Sequence, residues 1–189
     1  MEIAMQNAQK ALEMEEVPIG CAILHEGVCI EKAHNLTNLK KDPLAHAEIL
    51  CLERLERSLR EKVDLYVTCE PCIMCLAVIV KMRIRRVFFA CKNPRFGGIT
   101  AFLQEGILKE VANAGPGTPE AGNTHIIYRY EEKESKTAHT FEAVYTPLEA
   151  SLSMLKAFYS QENGRAPVEK RKHKSSELAK FFSNDAERE

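Results

Sequence analysis

Two short segments, His46-Ala47-Glu48 and Pro71-Cys72-Ile73-Met74-Cys75, constrain this chain more than any other feature. They offer one imidazole and two thiols, which can supply three ligands to a zinc ion. Glu48, close to the histidine, adds a carboxylate that can move protons. A zinc ion with three protein ligands keeps its fourth position for water, as catalytic zinc sites do. The chain must therefore fold so that both segments, each at a predicted helix start, meet at one point.

The spacing within these segments favours such a site but leaves one geometric question open. Cys72 and Cys75 are three residues apart at a helix start and so share one face. The positive end of the helix dipole favours thiolates over thiols there. His46 and Glu48, in contrast, would point about 200° apart on a regular helix. They can share a site only if it wraps around the start of their helix.

A closed structural zinc site is the main alternative. Cys69 extends the cysteine pair to a C-x-x-C-x-x-C run, and with His46 these thiols could fill all four zinc positions. The protein would then be a binding module without a position for water. The three-ligand site is favoured because Cys69 precedes Pro71, at a predicted strand end, and because a closed site leaves Glu48 without a role.

Hydrophobic periodicity predicts alternating helices and strands, which is typical of an α/β layered domain with one mixed sheet. The predicted helices cover residues 1–15, 42–59, 71–82 and 147–159. The predicted strands cover residues 19–25, 28–33, 63–68, 87–90, 126–130 and 141–145. Asp42-Pro43 resembles a helix cap followed by a first helical position, so it predicts the start of the second helix.

Composition limits the class of protein. The 189 residues suffice for one ordinary domain and a tail. No apolar run approaches the ~20 residues that cross a bilayer, and the sequence starts without a signal-peptide pattern.

Seven cysteines, an odd number, favour reduced thiols, so we expect a cytoplasmic and/or nuclear protein that is neither secreted nor membrane-bound. The net charge of −1 gives no overall attraction to nucleic acid, so RNA contacts need a local patch or a partner.

Several segments resemble the tRNA adenosine deaminase family, which carries the H-x-E…P-C-x-x-C signature of zinc nucleobase deaminases. The resembling segments are Glu16-Val17-Pro18-Ile19-Gly20, the loop at Asn35, Ala45-His46-Ala47-Glu48-Ile49, Tyr66-Val67-Thr68, Glu70 to Cys75, and Arg83-Ile84. Asn93 to Gly98 and Leu155 to Tyr159 are most similar to the catalytic subunit of the eukaryotic enzyme. The resemblance implies a three-layer, cytidine-deaminase-like α/β fold, with a central mixed sheet of about five strands flanked by helices.

The resemblance also implies roles for individual residues. His46, Cys72 and Cys75 would bind one Zn²⁺ ion, and Glu48 would transfer protons while zinc-activated water attacks C6 of adenine. The reaction would convert adenosine to inosine at the wobble position of tRNA. Substrate-binding residues would be Asn35, Val17, Pro18, Ile19 and Ala47. Apart from the resemblance, we expect Arg95 to contact tRNA, and the charge of a basic run suggests further phosphate contacts at Lys170, Arg171, Lys172 and Lys174.

The family's eukaryotic form pairs its catalytic subunit with a related subunit that lacks the catalytic Glu. The resemblance therefore implies a heterodimer, with an inactive paralogue as partner and a tRNA anticodon loop as substrate, since the reacting base must be unstacked. Two other functions stay open: a zinc deaminase of a free base or nucleoside, and a non-enzymatic RNA-binding subunit with structural zinc.

The sequence also suggests how the chain is divided. We expect a deaminase domain over residues 1–162, with an insertion around 105–138 that has no clear counterpart in the family. We expect a basic, mobile tail over residues 163–189. That basic run can equally be a solvated tail or a nuclear-import signal.

Overall fold

The computed structural model describes residues 1–113, 126–131 and 140–161 of the chain. The helices in these ranges are α1 (Glu2–Glu13), α2 (Thr37–Lys40), α3 (Ala47–Leu52), α4 (Ile73–Lys81), α5 (Gly98–Gln104) and α6 (Glu149–Ser160), with a 3-10 helix at Arg57–Lys62. The strands are β1 (Gly20–His25), β2 (Val28–His34), β3 (Val63–Val67), β4 (Arg86–Phe89), β5 (Lys109–Asn113), β6 (Ile126–Glu131) and β7 (Thr140–Tyr145). Within the described ranges, every helix falls short of the length and apolar content that a membrane span requires.

The strands form one mixed sheet in the order β2-β1-β3-β4-β7-β6-β5. β1 pairs antiparallel with β2 and β3, whereas β4 runs parallel to both β3 and β7. β6 pairs antiparallel with β7 and β5. A parallel pairing needs a crossover connection, which α4 provides between β3 and β4. The start of α4 therefore lies beyond the carboxyl end of β3, where open α/β sheets place their ligands.

Helices cover both faces of this sheet. Gly20 in β1 faces α1, because a Cβ atom at this position would lie 2.0 Å from the carbonyl oxygen of Ala4. The next residue, Cys21, points to the opposite face. There it lies in the core with Cys51 of α3, whose thiol donates to the carbonyl of Cys21 at 3.8 Å. The arrangement confirms the predicted α/β class, a mixed sheet flanked by helices.

The main hydrophobic core lies between the sheet and the helices α3 and α4. It contains Leu50 and Leu52 from α3, Ile79 from α4, Leu65 from β3 and Phe89 from β4. Burying one side chain of this size stabilises the fold by about 1.5–3 kcal/mol relative to leaving it exposed. Because α3 and α4 share this core and contact each other, their N-terminal ends are held side by side.

The predicted start of the second long helix is wrong. α3 begins at Ala47 rather than at Asp42-Pro43, and it ends at Leu52 rather than near Leu59. The Asp42 carboxylate accepts a hydrogen bond from the backbone N–H of Leu44 at 2.9 Å, so its capping chemistry is used in a local turn. The loop at Asn35 leads into the short helix α2, which the hydrophobic pattern did not predict.

The sheet has seven strands in the described residues rather than about five. β5 and β6 both fall within the segment predicted as an insertion, and they form one end of the sheet. β5 lacked a readable pattern because Lys109–Asn113 mixes charged, apolar and amide side chains without alternation. α5 was missed because it is short and starts with glycine. The remainder of the predicted insertion, residues 114–125 and 132–138, lies outside the described residues.

Candidate active site

His46 stands immediately before α3, at the N-cap position, with an extended backbone (φ −76°, ψ 149°). Glu48 is the second residue of the helix. Because His46 is outside the helical register, the separation of about 200° between residues two apart on a helix does not apply to this pair. An N-cap side chain lies over the first turn of its helix, beside the second and third residues. The site therefore wraps around the helix start, as a shared role for His46 and Glu48 requires.

Cys72 and Cys75 are placed in the same way on α4. Cys72 is the N-cap residue, again with an extended backbone (φ −64°, ψ 165°), and Cys75 is the third helical residue. N-cap and third-position side chains are neighbours, as they are in the capping box of many helices. The two thiols are therefore brought together by the helix start itself.

The structure brings the three candidate ligand atoms to one point. His46 Nδ1 lies 3.6 Å from the Sγ of Cys72 and 3.4 Å from the Sγ of Cys75. All three ligand atoms lie within 4.8 Å of one another. In a tetrahedral site with Zn–S of ~2.3 Å and Zn–N of ~2.0–2.1 Å, nitrogen and sulfur ligands are about 3.6 Å apart. These residues therefore fit one zinc ion.

The electrostatics of the site also suit a metal centre. A hydrogen bond that the Cys75 thiol donates to Cys72 lowers the pKa of Cys72 to about 4 and raises the pKa of Cys75. The thiolate is the form that binds zinc. Glu48 is 3% exposed, and burial raises the pKa of its carboxyl to about 7. A carboxyl with a pKa near neutrality can both accept and release protons.

The start of α4 is held by the loop that follows β4. The N–H of Ile73 donates to the carbonyl of Phe96 at 3.0 Å, and the N–H of Gly98 donates to the carbonyl of Pro71 at 2.8 Å. These two bonds satisfy backbone groups on both sides of Cys72. The position of one zinc ligand thus depends on a loop more than twenty residues further along the chain.

A buried carboxylate keeps this loop in place. Glu70 is 2% exposed and accepts hydrogen bonds from the N–H of Asn93 (2.8 Å) and of Thr100 (2.7 Å). It also accepts one from the hydroxyl of Thr100 at 3.1 Å. Sequence reasoning gave Glu70 no role of its own. The available signal was a charged residue directly before Pro71, within an otherwise apolar stretch.

Cys69 lies apart from the candidate zinc ligands. It belongs to a second buried cluster with Cys91 and Leu155. Its thiol donates a hydrogen bond to Cys91, and this bond and burial raise the pKa of Cys69. In the described part of the chain, the group of side chains spaced for a metal contains His46, Cys72 and Cys75. The geometry therefore favours the open, three-ligand site over the closed one.

The predicted substrate-binding residues adjoin this centre through backbone contacts. Asn35, at the end of β2, is 3% exposed, and its N–H donates to the carbonyl of Ile19 at 3.0 Å. The N–H of the next residue, Leu36, donates to the carbonyl of Ala45, directly before His46, at 2.9 Å. Asn35 is thus tied to Ile19 on one side and to the histidine segment on the other.

The remaining predicted pocket residues lie on the neighbouring elements. Ala47, fully buried, is the first residue of α3. Pro18 is buried, whereas Val17 and Ile19 are half-buried and pack against the cluster that contains Cys69. This contact links the Val17–Ile19 edge to the strand end that leads into the cysteine segment.

The predicted tRNA-contacting residues fall into two groups. Arg95 is exposed in the loop against α4, with its guanidinium 4.9 Å from the ring centroid of Phe96. The other four, in the basic run at 170–174, lie outside the described residues, as does the whole predicted tail over 163–189.

Comparison with known proteins bears on the same residues. The sequence pattern described as "Cytidine and deoxycytidylate deaminase zinc-binding region" matches residues 1–91, which include His46, Cys72 and Cys75. Over 180 residues the chain is 32% identical to tRNA-specific adenosine deaminase 2 of Xenopus tropicalis, covering 90% of this chain and 92% of that protein. The chain belongs to the tRNA adenosine deaminase family. The resemblance inferred from the sequence motifs is therefore confirmed.

Two further members of the tRNA adenosine deaminase family extend the comparison. The tRNA-specific adenosine deaminase subunit tad2 of Schizosaccharomyces pombe is 29% identical over 195 residues, covering 96% of this chain and 44% of that protein. A solved structure from a study of A-to-I editing by tRNA:A34 deaminases at the wobble position has a TM-score of 0.50 and 39% identity, covering 52% of this chain and 79% of that one. The cytidine-deaminase-like fold is thereby confirmed.

Proposed function

We propose that this chain catalyses the hydrolytic deamination of adenosine to inosine at the wobble position of tRNA, with Zn²⁺ held by His46, Cys72 and Cys75. The observation that carries the proposal is the tetrahedral spacing of three ligand atoms at two adjoining helix starts, beside the buried Glu48. The relatives' names, tRNA-specific adenosine deaminases, support the choice of substrate. The reaction replaces the 6-amino group of adenine with the oxygen of water and releases ammonia.

The roles of the protein groups follow from their positions. When bound, zinc supplies a Lewis acid that lowers the pKa of water at its open position. Glu48 takes one proton from the attacking water and passes it to the adenine ring. It then takes the remaining proton of the new C6 hydroxyl and gives it to the amino group, which leaves as ammonia while the C6 carbonyl forms. Its burial keeps bulk solvent from exchanging with the transferred proton. Asn35, Ala47 and the Val17–Ile19 edge bind and orient the flipped base.

The test is an editing assay on the zinc-loaded full-length chain, alone and with a candidate partner subunit. Substrates are a tRNA with adenosine at the wobble position, the same tRNA with guanosine there, and free adenosine, cytidine and guanine. We expect inosine in the first tRNA alone, and its loss with Glu48→Gln. Deamination restricted to a free base or nucleoside would replace the proposal with the small-molecule alternative. Zinc-dependent tRNA binding without deamination of any substrate would favour the RNA-binding subunit.

We also propose that the active form is a heterodimer with a catalytically inactive paralogue. The word "subunit" in the name of the S. pombe relative supports this, as does the net charge of −1, which leaves tRNA attraction to a shared surface. The chain alone should edit weakly, and the added paralogue should restore editing. Full activity from a monodisperse monomer would contradict the proposal, and a self-sufficient homodimer would replace it.

Two further expectations from the sequence stand as proposals. Arg95 contacts tRNA, supported by its exposure in the loop that holds the start of α4, and the basic run at 170–174 adds phosphate contacts on the basis of its charge. The protein acts in the cytoplasm and/or nucleus, supported by its seven cysteines. Imaging of a tagged full-length chain tests the location, and secretion would refute it.

A further inference from the structure

A buried carboxylate between α1 and β1 has no part in the reaction described above. Glu16 is fully buried. One carboxylate oxygen, Oε1, accepts a hydrogen bond from the N–H of Leu39 at 2.6 Å. The other, Oε2, accepts from the N–H and the side-chain amide of Asn38, at 3.2 and 3.0 Å, and from the hydroxyl of Thr37 at 3.4 Å. One side chain thus holds three consecutive residues of α2.

These bonds decide the conformation of the segment after β2. α2 has four residues, Thr37–Lys40, and an isolated helix of that length is not stable in water. Asn38 and Leu39 are exposed, so burial contributes little to holding them. The hydrogen bonds to Glu16 therefore hold this turn together with its own backbone bonds, from Lys40 to Leu36 and from Asp42 to Thr37.

The same bonds set the orientation of the Asn35 amide. The Nδ2 group of Asn35 donates to the Thr37 hydroxyl oxygen at 3.1 Å. That hydroxyl has one hydrogen, which it donates to Glu16, and a carboxylate can only accept. Thr37 can therefore only accept from Asn35, which must turn its NH₂ group toward Thr37. The amide oxygen and the second amide hydrogen remain for a ligand.

We propose that Glu16 is a positioning residue for the base pocket, acting through Thr37 to fix which groups Asn35 presents to the base. The proposal rests on the proposed role of Asn35 in binding adenine. Glu16 also directly precedes the Val17–Ile19 edge, and the carbonyl of Ile19 accepts the Asn35 N–H. Glu16 is thus connected to both predicted walls of the pocket, through the chain to the Val17–Ile19 edge and through Thr37 to Asn35.

Three variants test this in the full chain with zinc and its partner subunit. Glu16→Gln keeps the shape but offers one acceptor oxygen and places an NH₂ group against N–H donors. Thr37→Val removes the hydroxyl that links Glu16 to Asn35 and leaves the bonds from Asn38 and Leu39 to Glu16. Both variants should lower kcat/KM for tRNA about tenfold, while the zinc content stays unchanged. A tenfold loss corresponds to ~1.4 kcal/mol, which is typical of one misplaced hydrogen bond. Glu13→Gln, the same change at an exposed site in α1, is the matched control and should have no effect.

A double-mutant cycle separates positioning from a general structural role. In an Asn35→Ala background, Glu16→Gln and Thr37→Val should cause no further loss of kcat/KM, because the residue through which they act is gone. Losses that add in full to that of Asn35→Ala would overturn the proposal.

A second readout does not depend on tRNA editing. In ¹⁵N NMR spectra of the zinc-loaded chain, the side-chain amide signals of Asn35 should shift in Glu16→Gln and in Thr37→Val but not in Glu13→Gln. Unchanged Asn35 signals would overturn the positioning role. If the shifts occur and the wild-type protein edits no tRNA, the proposed function fails while the link from Glu16 to Asn35 stands.

Discussion

Replacing Gly97 with alanine tests how the zinc ligands on α4 are held. The backbone at Gly97 (φ −60°, ψ 121°) suits alanine, so the cost comes from contacts alone. The added Cβ would lie 2.3 Å from Oε1 and 2.5 Å from Oε2 of Glu70. Glu70 would have to move and give up its three hydrogen bonds to Asn93 and Thr100. At about 1 kcal/mol for each bond, Gly97→Ala should destabilise the fold by about 3 kcal/mol.

The assay is urea and thermal unfolding of the zinc-loaded full-length chain, followed by circular dichroism. A loss of about 3 kcal/mol lowers Tm by roughly 6–12 °C in a protein of this size. The chain should also release zinc faster to a chelator, since the Gly97 loop holds the residues on either side of Cys72. In a Glu70→Ala background the added Cβ has room, so the same substitution should cost little.

A matched control separates this contact from the general effect of losing a glycine. Gly27 has nothing within 4 Å of an added Cβ, but its φ of +81° strains any alanine. Gly27→Ala should therefore cost about 1–2 kcal/mol, and the cost should be the same with Glu70 present or absent. If Gly97→Ala cost as much in the Glu70→Ala background as in the wild type, the contact with Glu70 would not be the cause.

The remaining predictions concern the metal, the proton-transfer group and the tail. Glu48→Gln should keep one zinc per chain by atomic absorption and lower the deamination rate about 10²–10⁴-fold; a variant that stays active would exclude Glu48 as the proton-transfer group. Cys72→Ser should lose zinc and lower Tm, because zinc binding is coupled to folding. Cys69→Ser should keep both zinc and activity. Loss of zinc in Cys69→Ser would instead support the closed structural zinc site. Removing residues 165–189 should weaken tRNA binding and flatten the dependence of log affinity on log salt, with zinc content unchanged, and an unaltered slope would favour the solvated-tail alternative.

The features of this protein that could be predicted from the sequence are those that depend on residue types close together in the chain. The ligand set could be read because few residue types bind zinc and their spacing matched two helix starts. The first two strands could be predicted because Glu26-Gly27 separates two β-prone runs. Both residues have positive φ (51° and 81°), as a tight hairpin turn between β1 and β2 requires. The start of α3 was wrong because Asp42 suits a turn as well as a helix cap.

The supporting carboxylates could not be predicted because their partners are far away in the sequence. The bond from Leu39 to Glu16 spans 23 residues, and the bond from Thr100 to Glu70 spans 30. Nothing local distinguishes Glu16 from the exposed Glu13 or Glu15, and the apolar stretch around Glu70 does not show which groups its carboxylate binds. Their burial is set by the packing of α2 and of the β4–α5 loop, which arises only when the sheet has formed.

The two halves of the zinc site use the same structural device. In each, the first residue (His46 or Cys72) is an extended N-cap, and the second (Glu48 or Cys75) is in the first turn of the helix. This explains why a two-residue spacing works in one segment and a three-residue spacing in the other, since an N-cap side chain neighbours both the second and the third helical positions. Extending either helix by one residue would rotate the capping ligand about 100° around the axis and away from its partners. The site is therefore specified by where α3 and α4 begin, so the contacts that fix those two starts also hold the metal ligands in place.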